Sequence, residues 1–263
     1  MTKFKCIQLI SLLFFSSTVF SSNIHVEKVS DQVHILSGKE YGTNIGLITT
    51  ENGLTLIDPM PGVGHLLELD NIVKSISNKS IIYILNTHTH SDHTGGNEFF
   101  IEQGAKLVES ITTSDDLVHI KVKSHSSNDN IYYHKISNTI FVGDVFDTSW
   151  HPTFYAGGFQ GFNDAIDAIM KLGDEESLIV PGHGAPARKL SLLEFRKNTS
   201  EWIMRVRELH QKGWDEDRIM NDAQAKSIVE KFNLGGRSPF LPQEAFKRFV
   251  ERTISVIEKE KGM

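Results

Sequence analysis

Thr87-His88-Thr89-His90-Ser91-Asp92-His93-Thr94-Gly95-Gly96-Asn97 is the stretch on which the reading of this chain turns. It follows Ile81-Ile82-Tyr83-Ile84-Leu85, an apolar run of strand length that reads as a buried β-strand delivering the histidines to a loop. In an extended or loop backbone, side chains two apart share a side and neighbours point oppositely. His88 and His90 can then grip one metal ion while Asp92 and His93 reach toward a second. Imidazole and carboxylate are the ligands Zn²⁺ accepts where thiolate is missing, and Gly95 and Gly96 let the backbone pass close to such a site. A solvated histidine-rich loop is the bland alternative; the strand in front and the density of ligand-type side chains argue against it.

Two ligands per ion are too few, so other parts of the chain must converge on this loop. Three candidates stand where strand patterns stop, which is where a sheet presents side chains to a shared cleft. His125 follows His119 to Lys123, Asp144 ends the run Thr139 to Val142 in Gly143-Asp144, and His183 sits in Pro181-Gly182-His183-Gly184 after Leu178 to Val180. Singly, a histidine after a strand is more often a surface or packing residue, and Gly-Asp is often only a turn. Their joint occurrence in this order is what carries weight. His134 is the nearest competitor of His125. His151, in Ser149-Trp150-His151-Pro152, is close enough to Asp144 in sequence to be a candidate catalytic proton donor or substrate contact. His25, His34, His65, His119 and His210 read as surface or packing residues.

Outward from this centre, Asn44 to Thr50 and Leu54 to Asp58 are strands joined by Glu51-Asn52-Gly53, a tight hairpin signal. His25 to Gly38 alternates as edge strands. Leu66 to Ile76 recurs at helical spacing, Asn97 to Gln103 reads as a short helix and Ala105 to Val108 as a strand. Ile131 to His134 is a further strand, Asn163 to Leu172 a helix, and Leu190 to Gln211 a long amphipathic helix with two more behind it. Strands first, then alternating helices and strands, then helices predict an α/β sandwich rather than a doubly wound sheet. The tail from about residue 190 to 263 either covers the cleft or packs on the sandwich. The spacing of Leu192, Leu193, Phe195, Trp202, Ile203 and Val206 favours packing.

The chain opens with Lys3 and Lys5, an apolar run from Ile7 to Phe20 and small residues, with Val19 and Ser21 placed as the −3 and −1 positions of a cleavage site. Residues 1–22 are therefore expected to be a secretory signal peptide, and residues 23–263 the mature protein, periplasmic or secreted. The run is short and broken by serines, which counts against a membrane anchor remaining after cleavage. The sole cysteine, Cys6, falls in this leader, so disulfides and thiolate ligands are excluded from the mature chain. The formal net charge of −6 becomes −8 without Lys3 and Lys5. An acidic surface with no Lys/Arg run argues against nucleic acid and anionic lipid as partners and leaves a small-molecule substrate.

In its motifs the chain resembles the metallo-β-lactamase superfamily from about Val26 to Gly184. The residues that carry the resemblance are Leu56-Ile57-Asp58, Thr87 to His93, Ser124-His125-Ser126 with Asp129, Phe141-Val142-Gly143-Asp144 and Pro181-Gly182-His183-Gly184. The resemblance implies an αββα four-layer sandwich. It also implies that His88, His90 and His125 hold a first metal, Asp92, His93 and His183 a second, and that Asp144 bridges them with Asp58 bracing the loop from behind. Gly-His-Thr, frequent in the family at the third motif, is absent around His125.

The same resemblance implies a zinc-dependent metallohydrolase with two Zn²⁺, iron or manganese being the alternatives. A metal-bridging hydroxide would attack an amide, lactam, lactone or thioester carbonyl, with Asp92 orienting it. Asp144 stands where one lactamase subclass has cysteine, and Asp147 where it has a lysine, so that subclass is disfavoured. Two rivals stay open: a mononuclear iron oxidoreductase resembling persulfide dioxygenases, and a non-catalytic binding protein on the same scaffold. Export and His183 count against the first, and the full set of seven against the second.

Overall fold

The computed structural model describes residues 22–39, 42–110 and 115–261. Residues 1–21, which hold nearly all of the expected leader, lie outside them. The first sheet takes its strands in chain order: β1 (Ile24–Lys28), β2 (Val33–Gly38), β3 (Asn44–Thr49), β4 (Leu54–Ile57), β5 (Ile81–Leu85) and β6 (Lys106–Leu107). It is antiparallel as far as β4 and parallel from β4 through β6. The second sheet contains β7 (Leu117–Val122), β8 (Asp129–His134), β9 (Thr139–Gly143), β10 (Leu178–Pro181) and β11 (Ala187–Arg188), in the order β11-β10-β9-β8-β7. Helices α1 (Leu66–Ile76), α2 (Ser91–Thr94) and α3 (Asn97–Ile101) belong to the first half. The second half adds α4 (Gly158–Met170), α5 (Lys189–Gln211), α6 (Glu216–Met220), α7 (Ala223–Glu230) and α8 (Gln243–Lys261).

The layers follow from the two-residue period of a strand. Val33, Ile35, Ile48, Ile57 and Leu85 point inward from the first sheet and meet Tyr132, Phe141 and Val180 of the second. Their neighbours Leu36, Leu47, Leu56 and Ile84 point outward and pack with Leu69 and Val73 of α1 and Phe100 of α3. Beyond the second sheet, Ile140, Val142 and Ile179 pack with Phe162 and Ile166 of α4, Trp202 of α5 and Phe249 of α8. Each fully buried side chain of this kind contributes about 1.5–3 kcal/mol. The result is the αββα sandwich, with near-continuous apolar strands because both sheets are covered on both faces.

Strand direction positions the site. β4 and β5 run parallel, as do β9 and β10, and β7 runs with β9 because both are antiparallel to β8. The residues just past the ends of these five strands are Asp58, Thr87-His88, His125, Asp144 and His183, gathered on one rim. The sheets touch there through an isolated bridge between Thr43 and His183 and a bond from Asn44 N to Gly182 O of 2.8 Å.

Some local expectations change. Asp92 and His93 lie on the helical turn α2 rather than on extended backbone; His93 N and Thr94 N both donate to His90 O at 3.0 Å, and His90 itself keeps an extended conformation. α4 starts at Gly158, ahead of Asn163, because Gly157 and Gly161 are seated against Lys123 O and do not break it. Among the described residues, three helices rather than two follow α5. Among the described residues, no helix is long and apolar enough to cross a membrane.

Candidate metal centre

The rim brings the seven predicted residues together as two sets that share one carboxylate. His88, His90 and His125 form the first with Asp144, and Asp92, His93 and His183 the second with Asp144; within each set the candidate ligand atoms lie within 4.8 Å of one another. His125 Nε2 is 3.0 Å from His90 Nδ1 and 3.6 Å from Asp144 Oδ2, while His88 Nε2 is 3.9 Å from the same oxygen. The other oxygen, Asp144 Oδ1, faces His93 Nε2 at 3.2 Å and His183 Nε2 at 3.6 Å. Asp92 Oδ2 closes the second set, 3.3 Å from His183 Nε2 and 3.8 Å from His93 Nε2.

His93 and His125 are aimed by partners behind them, and the loops that carry the other residues are held through their backbone. Asp58, past the end of β4, accepts from Thr87 N at 2.8 Å and Thr87 Oγ1 at 2.5 Å, and its Oδ2 lies 2.9 Å from His93 Nδ1. That contact fixes the His93 tautomer whose Nε2 faces the cleft. Asp129 folds the His125 loop by accepting from Ser124 N at 2.9 Å and Ser126 N at 3.0 Å, and Thr153 Oγ1 sits 2.6 Å from His125 Nδ1. The His183 loop is clamped by Asn44, whose amide donates to Pro181 O at 3.0 Å and Gly184 O at 2.7 Å. Thr43 Oγ1 donates to Asp92 O at 2.5 Å. Gly182 lets that loop pass Asp144: a Cβ there would lie 1.9 Å from Asp144 Oδ1.

Three buried atoms of the cluster, His88 Nε2, His93 Nε2 and Asp144 Oδ1, have no hydrogen-bond partner. Leaving such groups unpaired costs about 1–3 kcal/mol each, and divalent cations would accept these lone pairs, His88 Nε2 in the first set and His93 Nε2 and Asp144 Oδ1 in the second. Burial pushes the His88 imidazole down to about 3, so its lone pair is available at neutral pH, and burial lowers His125 as well. Burial opposes the charge on His183 too, but its contact with Asp92 and the field of Asp144 outweigh it and raise the group to about 9. That contact holds Asp92 down to about 2, against the effect of burial. Burial likewise opposes ionisation of Asp144, yet His93, His183 and His125 keep its carboxyl well below the usual range. Cations are thus drawn to this point even when only protons are present. Nitrogen and oxygen donors without thiolate, four to a set, suit Zn²⁺ and accommodate other transition ions.

A cleft of about 340 Å³ opens over Asp92, Asp144 and His183, walled by Trp150, Thr153 and Arg237. Larger cavities of about 610 and 800 Å³ lie elsewhere and contain none of the seven residues. His134 is not in the cluster; it ends β8 on the opposite rim, with Nδ1 2.8 Å from Ser137 Oγ. His151 is buried away from the cleft, stacked on Phe249 with centroids 4.1 Å apart and its Nδ1 donating to Pro152 O at 3.0 Å. Asp147 does line the cleft, its Oδ1 accepting from Ser149 N at 2.6 Å; burial raises it to about 6. Asn44, Thr43, Thr153 and Arg237 were not singled out by sequence pattern.

Residues 38–114 match the family model of the metallo-β-lactamase superfamily. The chain is 29% identical over 97 residues to the metallo-β-lactamase IND-1 of Chryseobacterium indologenes, covering 36% of this chain and 39% of that protein. It is 26% identical over 104 residues to a type 2 metallo-β-lactamase of Elizabethkingia meningoseptica, covering 35% and 42%. A probable hydroxyacylglutathione hydrolase of Schizosaccharomyces pombe is 29% identical over 121 residues, covering 38% and 47%. The chain thus spans less than half the length of these curated relatives. Among solved structures, a metallo-β-lactamase from Pontibacter korlensis superposes with a TM-score of 0.55 at 21% identity, over 65% of this chain and 96% of that one. The DIM-1 metallo-β-lactamase gives 0.56 at 13% identity, over 67% and 96%. In its sandwich, its ordered motifs and these matches, the chain is similar to the metallo-β-lactamase superfamily, whose family model matches residues 38–114.

Proposed function

We propose that this protein is an exported, dinuclear zinc-dependent hydrolase that cleaves a small substrate at an amide, lactam, lactone or thioester carbonyl. The observation that carries the reading is Asp144, whose two carboxylate oxygens face two separate sets of histidines. His88, His90 and His125 would hold one ion, Asp92, His93 and His183 the other, with Asp144 between. A bound pair of divalent ions supplies Lewis acidity and lowers the pKa of a shared water toward neutrality.

The chain's own residues supply position and a shielded site. Asp58 and Thr153 set the ring orientation of His93 and His125, so that little reorganisation is left for the reaction itself. Asp92, about half exposed at the cleft mouth, can accept a hydrogen bond from a nucleophilic water and hold it in line with the scissile carbonyl. Buried and stacked on Phe249, His151 is assigned a packing role. The names of the matched relatives, two metallo-β-lactamases and one probable hydroxyacylglutathione hydrolase, support hydrolytic chemistry, and the pattern of residues 1–22 supports export.

A panel of β-lactams, homoserine lactones, thioesters and phosphodiesters, assayed with and without a chelator, tests the reading. Chelator-sensitive cleavage of a carbonyl substrate is expected. A metal-loaded protein with no hydrolytic activity, or one iron per chain and oxidation of persulfides, would overturn it.

A further inference from the structure

We infer that Asn86 and Asn97 are positioning residues of the metal centre: their side-chain amides close the two ends of the histidine loop on each other and hold His88, His90, Asp92 and His93 in place before an ion arrives. The inference depends on the metal centre and not on the reaction performed there. Asn86 follows β5 and Asn97 opens α3, 11 positions apart in sequence. Asn97 Nδ2 donates to Asn86 Oδ1 at 2.7 Å, and Asn86 Nδ2 donates back to Asn97 Oδ1 at 3.3 Å. The same Asn86 nitrogen faces His93 O at 3.4 Å and Asp58 Oδ1 at 3.5 Å. These neighbours are all acceptors, which sets the amide with its nitrogen toward them and its oxygen toward Asn97.

Each end of the loop is tied to a different layer. Asn86 O accepts from Asn130 Nδ2 at 2.9 Å and from Tyr132 Oη at 3.2 Å, and Thr87 O accepts from Asn130 N at 2.6 Å, so the first end is fixed to β8 of the second sheet. His119 Nε2, 2.9 Å from Asn130 Oδ1, turns that amide so that its nitrogen faces Asn86. The far end belongs to α3, whose Phe100 is buried in the outer layer against the first sheet. The amide pair joins these two anchors. Within the loop, the bonds from His93 N and Thr94 N to His90 O fix the turn of α2 and not its placement. A loop held at both ends has less freedom to lose when an ion binds, so its ligands bind more tightly than those of a loop free at one end. Asparagine suits the task because one short side chain both donates and accepts.

The test is a double-mutant cycle of Asn86→Ala, Asn97→Ala and the two together, alongside Asn97→Asp, which keeps the size of the side chain and puts an oxygen where Nδ2 meets Asn86 Oδ1. Zinc affinity is read by competition with a chromophoric chelator. Backbone hydrogen exchange from His88 to Thr94, and Tm, are read in EDTA. Each single variant is expected to lose about tenfold in zinc affinity and to exchange faster across the loop. The double variant should lose no more than the weaker-binding single one, because either substitution alone opens the clasp. Asn97→Asp should match Asn97→Ala although its bulk is retained. Losses that multiply in the double variant, or a lowered Tm with wild-type zinc affinity, would overturn the proposal, since the two amides would then support the fold separately. Wild-type protein that takes up no zinc would bring down the metal centre and this proposal with it; wild-type affinity in every variant would overturn the proposal alone.

Discussion

Asp58 Oδ2 lies 2.9 Å from His93 Nδ1, and the other oxygen of that carboxylate accepts from Thr87 N at 2.8 Å. One buried side chain therefore sets both the tautomer of a candidate ligand and the path of the loop that carries His88, His90 and Asp92.

Asp58→Asn should separate these duties. The residue adopts φ 52°, a conformation asparagine tolerates, so the backbone is expected to persist while the charge is lost. Zinc affinity, read by competition with a chromophoric chelator, should fall about 10–100-fold. Unchanged affinity would show that the carboxylate does not orient His93.

Gly182→Ala places a methyl group 1.9 Å from Asp144 Oδ1, with the backbone of Asp144 and Gly143 close behind. The oxygen shared with the second set must move. The variant is expected to keep its far-ultraviolet circular dichroism and to lose metal from at least one site; full metal loading would contradict the placement of Asp144.

The α/β sandwich could be read from the order of strands and helices, and its four layers followed from the resemblance; the structure then sorts alternate residues of β2, β4, β5, β9 and β10 into inward and outward sets. The stretch from His88 to His93 was equally legible, since four ligand-type side chains stand there within a few positions. The supporting residues were not. Asn44 clamps Pro181 from 137 positions away, and Thr153 meets His125 across 28; neither residue type carries a pattern that announces such a partner. His151 shows the converse: nearness to Asp144 in sequence says nothing of which way a ring turns, and burial against Phe249 decided that. The helical turn at Asp92 and His93 escaped notice because four residues are too few to show a helical period.

Thr153→Val removes the hydroxyl 2.6 Å from His125 Nδ1 with little change in volume. The imidazole loses the group that fixes its orientation, and affinity for the first ion should fall about tenfold. A calorimetric titration that still shows two sites of wild-type strength would count against this role.

Stability of the chelated protein should pass through a maximum in pH. Burial holds His88 at about 3 in the folded state, below its ordinary 6.5, so falling pH favours the unfolded chain, which binds the proton first. His183 is raised from 6.5 to about 9, so its stabilisation is complete below about 6.5 and is lost as pH rises through 9. In EDTA, Tm should therefore decline on both sides of neutrality, and His183→Gln should flatten the alkaline limb. With metal bound, deprotonation of His183 favours the ligated state, and Tm should hold or rise from pH 6.5 to 9. Identical alkaline limbs for wild type and His183→Gln in EDTA would refute the assignment.

The central claim is that two ions share Asp144, and metal stoichiometry tests it most directly. Wild-type protein titrated with zinc and analysed by inductively coupled plasma mass spectrometry should carry two ions per chain, and Asp144→Ala at most one. A single ion in wild type, or two in Asp144→Ala, would contradict the account.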